Sequence, residues 1–130
     1  MRYAYPAIFK PENEGGYGVE VPDLKGCVTC GDNIIDAIDM ARDAISMWLC
    51  DAEDKKESIP EPSDLSNFQL SSAGFINLID VDTIEYRRQN DSRAVKKTLT
   101  IPSWLNVKAE KAGINFSQVL QNALKDQLDL

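Results

Sequence analysis

The sequence predicts an α+β fold in two parts: a β-β-β-α-β domain over residues 1–82, a linker over 83–93, and a strand-helix-helix module over 94–130. Three observations carry that reading. Short runs near the N-terminus alternate apolar and polar residues with period two. One longer segment carries a single apolar stripe at spacings of three and four. After residue 90 the charge balance changes, and a new alternating run leads into two short helical segments.

Tyr3 to Lys10 is aromatic and apolar enough for a strand, with Tyr3, Tyr5, Ala7 and Phe9 on one face. Pro6 has no N–H for a ladder, so it belongs at an edge or on an unpaired side. Pro11 to Gly16 is a turn. Tyr17 to Val21 returns as a strand, with Tyr17, Val19 and Val21 inward and Glu20 outward. After a second turn at Pro22 to Gly26, Cys27 to Cys30 makes a short third strand that Gly31 ends.

Asp32 or Asn33 can cap the helix that follows, by accepting hydrogen bonds from its first free N–H groups. Ile34, Ile38, Ala41, Ile45 and Trp48 form its apolar stripe, and Asp36, Asp39 and Asp43 lie opposite. Ile59-Pro60-Glu61-Pro62 is a break. Phe75 to Asp82 then reads as a largely buried strand, expected to lie parallel to the first. Thr83 to Arg93 is polar and is expected to be a mobile linker.

Composition narrows the chemistry. The 130-residue chain is 43% hydrophobic and 27% charged, which fits a folded domain, and it contains no histidine. Proton transfer near neutral pH therefore lacks its usual group. The three cysteines do not make a disulfide framework, and Cys27 and Cys30 lack the further ligands of a structural zinc site. No metal and no cofactor is expected. With no signal-like leader, the expected location is the cytoplasm. Residues 1–90 hold 8 Lys and Arg against 17 Asp and Glu, whereas residues 91–130 hold 6 against 4. An acidic body repels nucleic acid and the tail does not.

In the tail, Val95, Leu99 and Ile101 point one way, and Lys96, Thr98 and Thr100 point the other. Pro102 ends this strand and opens a helix that Gly113 stops. Asn115 caps a final helix, and Gln118 completes an approximate capping box. A module of roughly 35 residues cannot bury enough surface alone. Antiparallel pairing with the same strand of a second chain yields a homodimer whose two-stranded ribbon fits the major groove of DNA. Lys96, Thr98 and Thr100 would face the bases. The N–H groups at Asn115, Phe116 and Ser117 would hold a phosphate. This is the pattern of a ribbon-helix-helix module, the alternative being an amphipathic strand-helix-helix tail used only for dimerisation.

The chain also resembles the HicB family of bacterial antitoxins. The resemblance rests on Tyr5-Pro6-Ala7-Ile8-Phe9, on Gly16 to Leu24, on Gly26-Cys27-Val28-Thr29-Cys30-Gly31-Asp32, and on Lys97 to Pro102 and Gly113 to Leu120 in the tail. It implies an N-terminal domain like a truncated ribonuclease H fold without nuclease activity. That domain would bind HicA, a small basic toxin that cleaves mRNA, while the tail would bind the operon's own promoter. Tyr17, Glu20, Asp23 and Asp32 are the candidate toxin contacts by position. Two surfaces for self-association make a dimer of dimers the next level of assembly.

Two other readings compete. A metal-dependent nuclease would need several converging carboxylates, of which only Glu20 and Asp23 are close in sequence. A ribbon-helix-helix regulator could use its first domain to sense a small molecule or to set oligomeric state.

Overall fold

The computed structural model describes residues 1–70 and 73–130. The chain divides into two compact units, Met1–Arg93 and Ala94–Leu130. The first unit is built on a four-stranded antiparallel sheet of β1 (Arg2–Pro11), β2 (Tyr17–Glu20), β3 (Val28–Gly31) and β4 (Phe75–Asp82), in the order β3-β2-β1-β4. Helix α1 (Ile34–Asp54) covers one face.

Tyr5, Ala7 and Phe9 alternate along β1 and are fully buried under α1, together with Ile79 and Val81 of β4. Phe9 stacks on its register partner Phe75 at 5.1 Å. Although β1 is a central strand, its ladder with β2 spans only Ile8 to Pro11. Pro6 therefore sits where β4 is the only neighbour, and its missing N–H costs no ladder bond on the other side.

The buried line of α1 is Ala37, Ala41, Ile45 and Leu49, with Ile34, Ile38 and Trp48 half-buried beside it. The expected stripe is thus rotated toward its small residues. The two alanines bring the helix close to the sheet, and Gly31 completes the approach: a Cβ there would lie 2.3 Å from the Ala37 backbone nitrogen. Burying Ile45 and Leu49 fully stabilises the fold by roughly 1.5–3 kcal/mol each. Asn33 caps the helix by accepting from the Asp36 N–H at 2.9 Å, and the Asp36 carboxylate accepts from the Asp32 N–H at 2.8 Å. At the other end the Glu57 N–H reaches the Ala52 carbonyl at 2.9 Å, with Lys56 at a left-handed φ of 55°.

Strand β4 runs antiparallel to β1, not parallel as expected. A helix of 21 residues spans about 30 Å and carries the chain from Gly31 at one end of the sheet to Tyr3 at the other. The Tyr3 hydroxyl donates to Glu53 there at 2.9 Å. A second pass then returns the chain before β4 begins opposite Phe9. Two contacts fasten that pass: Tyr5 donates its hydroxyl proton to the Pro60 carbonyl, and the Ser63 N–H donates to the Asp23 carboxylate at 2.9 Å. A helix with a short connection would have given the parallel arrangement.

The expected linker is also corrected. Thr83–Asn90 form helix α2, capped by Asp82, which accepts from the Ile84 N–H at 3.0 Å. Its sequence has no apolar stripe because ion pairs hold it to α1. Arg87 lies 3.1 Å from Glu53 and 3.0 Å from Asp54, and donates to the Cys50 carbonyl at 3.2 Å.

The second unit contains α3 (Ser103–Lys111) and α4 (Phe116–Gln127). Gly113, at φ +70°, closes α3: its N–H donates to Glu110 and that of Ile114 to Ala109. Asn115 caps α4 by accepting from the Gln118 N–H at 3.1 Å. The Gln118 side chain reaches forward to Asn122 rather than back, so only half of the expected capping box forms. Residues 95–101, expected as a strand, form no ladder within the single chain. A strand has no regular structure without a neighbour, and among the described residues no strand supplies one.

Candidate nucleic-acid and partner interfaces

In the second unit no residue of α3 or α4 is buried. Val95, Leu99, Trp104, Val119 and Leu128 are each more than half exposed. Helices with no buried residue have no core of their own. Lys96, Thr98 and Thr100 are exposed, as is every residue of 94–101. At the start of α4 the Asn115 side chain engages the Gln118 N–H, while the N–H groups of Phe116 and Ser117 find no hydrogen-bond acceptor among the described residues. These are the donors that a phosphate oxygen would meet.

The four candidate toxin contacts of the first unit divide into two kinds. Glu20 is exposed on β2 and 4.0 Å from Lys10, and Asp32 is exposed at the foot of α1. Both carboxylates are open to solvent. Asp23 is engaged by the backbone and the hydroxyl of Ser63, and Tyr17 is half-buried, edge-on to Phe75 at 6.1 Å. These two residues hold the fold. Glu20 facing Lys10 and Asp23 bound by Ser63 do not form a converging carboxylate pair. Among the described residues no group of three metal-binding side chains is placed to hold an ion.

Sequence reasoning missed the polar cluster around Glu53. It accepts from Tyr3 at 2.9 Å, from the Thr83 hydroxyl at 3.1 Å and from Arg87 at 3.1 Å. Burial pushes the Glu53 carboxyl up, but the bonds from Tyr3, Arg87 and Thr83 together outweigh it and hold its pKa below the usual value. Burial, reinforced by the bond to Glu53, pushes the Tyr3 phenol up to about 12. Burial likewise pushes up the Cys27 thiol, and at Cys50 it outweighs the opposing charge of Arg87. Neither buried thiol is poised as a nucleophile. The signal in the sequence was a Glu-Asp pair ending one helix and a double arginine in the next.

Together these features define a class: a small α+β domain of acidic composition followed by a two-helix tail with no buried residue of its own. The profile described as "HicB_like antitoxin of bacterial toxin-antitoxin system" matches residues 5–124, across both units. The chain belongs to this family. It is 30% identical over 104 residues to an uncharacterized 14.9 kDa protein of Haemophilus phage HP1, covering 78% of this chain and 74% of the relative. It is 38% identical over 58 residues to antitoxin HicB 1 of Photorhabdus laumondii, covering 45% of this chain and 37% of that protein. Its fold is similar to a chain of a toxin-antitoxin complex from Streptococcus pneumoniae, with a TM-score of 0.63, 28% identity, and coverage of 98% of this chain and 99% of that one. Among the described residues no helix is long and apolar enough to cross a membrane.

Proposed function

We propose that this chain neutralises a HicA-type mRNA-cleaving toxin by direct binding through residues 1–93, and represses its own operon through residues 94–130. The observation that carries this reading is the single family likeness spanning both units, together with a structural neighbour that belongs to a toxin-antitoxin complex. In the first unit the fold plays the part of a truncated, inactive ribonuclease H domain. Its acidic surface, with Glu20 and Asp32 exposed, suits a basic toxin.

In the second unit, two chains pair residues 95–101 antiparallel and merge their exposed apolar helix faces into one core. Lys96, Thr98 and Thr100 of each strand then read base edges in the major groove, and Asn115, Phe116 and Ser117 seat a phosphate. The test mixes the full chain with the HicA-type protein of its operon and, separately, with promoter DNA. Suppressed mRNA cleavage and a salt-sensitive mobility shift are expected. Undiminished cleavage, or DNA binding that salt leaves unchanged, contradicts the respective half of the reading.

A further inference from the structure

We infer that the free edge of β3 and the adjoining stripe of α1 form the toxin-docking surface, and that the toxin adds an extended segment there as a fifth strand. The inference rests on the toxin-binding reading above and names its place. Among the described residues strand β3 pairs with β2 alone, which leaves its other edge open there. Val28-Thr29-Cys30-Gly31 contains none of the lysines or prolines that usually blunt an open edge.

Beside that edge lies a groove of about 460 Å3 between β3 and α1. Met40, Asp43, Met47 and Asp51 follow one another along α1 at spacings of three and four, so apolar and acidic side chains alternate along the groove. Met47 is 57% exposed and Val28 67%. Trp48 gives the groove a fixed wall, because its indole N–H donates to the Lys25 carbonyl at 3.1 Å. Lys55 lies 2.9 Å from Asp51, whereas Asp43 makes no ion pair among the described residues.

The charges select the occupant. A second copy of this chain would set Asp43 and Asp51 against their own duplicates, and like charges directly opposed are destabilising. A basic segment would instead bring Lys or Arg to Asp43 and seat its apolar side chains between Met40 and Met47, whose flexible thioethers adapt to the contour. Main-chain bonds to β3 would supply affinity, and the groove would supply selection.

The experiment compares the full chain with Met47→Glu, the double variant Asp43→Lys/Asp51→Lys, and Leu78→Glu, which alters an exposed residue on β4. Binding to the HicA-type toxin is measured by calorimetry, with each variant's denaturant unfolding midpoint as the check on folding. Met47→Glu is expected to weaken toxin binding about 30-fold or more, as loss of an interface anchor does. The double variant should slow association, and Leu78→Glu should bind like the parent. Toxin binding should also protect the β3 amides of the unaltered chain from hydrogen exchange. Unchanged binding by Met47→Glu with unprotected β3 amides overturns the inference while leaving the antitoxin reading intact. A Leu78→Glu defect alone moves the toxin elsewhere, and a change in the chain's own mass on Met47→Glu assigns the groove to a second copy; both overturn it. Failure of the unaltered chain to bind the toxin removes the parent reading as well.

Discussion

The guanidinium of Arg87 lies 3.1 Å from the Glu53 carboxylate, and this contact ties the last turn of α1 to helix α2. Both side chains are less than a third exposed, and Arg87 also pairs with Asp54. Arg87→Met is expected to lower stability by about 2 kcal/mol, the scale of a hydrogen bond to a charged group that leaves its partner unsatisfied. The loss should appear in hydrogen exchange as faster opening of residues 83–90, ahead of the sheet. Equal opening across the whole first unit would show that α2 is not separately held.

The same cluster sets a pH dependence at both ends. Glu53 titrates below its usual value in the folded chain, so its contribution is fully present above the ordinary glutamate range and is lost as the pH falls through the depressed value. Tyr3 titrates near 12 instead of 10, so folding loses stability as the pH climbs between those values. Denaturant midpoints should fall on both sides. Glu53→Gln should lessen the acid limb, to which Asp80, Asp82 and Asp91 also contribute, and Tyr3→Phe should lessen the alkaline one, which Tyr5 and Tyr86 share.

At Gly31 the close approach of β3 and α1 leaves no room for a side chain. Gly31→Ala must push α1 off the sheet and is expected to cost about 3 kcal/mol, at the upper end of overpacking penalties. A denaturant melt within 0.5 kcal/mol or so of the parent would contradict that geometry.

Lys56 offers the opposite change. It holds a left-handed φ of 55° at the end of α1, a conformation that costs an ordinary residue about 1 kcal/mol. Lys56→Gly is expected to raise the denaturant midpoint, because the helix-closing bond from Glu57 to Ala52 needs only the backbone. A lower midpoint would show that the lysine side chain contributes something its φ conceals.

Particular residues show how far the sequence could be read. The inward face of β1, the Asn33 cap and the Gly113 stop each follow from local chemistry, and local chemistry is printed in sequence order. The direction of β4 was not legible, because it depends on a return pass fastened by Tyr5 to Pro60 and Asp23 to Ser63, pairs distant in sequence. Helix α2 was not legible either: without an apolar stripe, its hold on α1 through Arg87 can be seen only once both helices are placed. Of the candidate site, the alternation of polar and apolar residues along 95–101 was readable, and the ribbon proposed from it depends on a second chain. The groove beside β3 was not, because the exposed methionines on α1 gain meaning only from the open edge next to them.

The pairing of residues 95–101 between two chains is tested most directly by interchain proton contacts in a mixed sample, one chain isotope-labelled and the other not. An antiparallel ribbon places Thr98 of one chain beside Thr98 of the other, with cross-strand Hα contacts and slowly exchanging amides along the run. Residues 95–101 showing no interchain contact and freely exchanging amides, in a sample that sediments as a monomer, would contradict it.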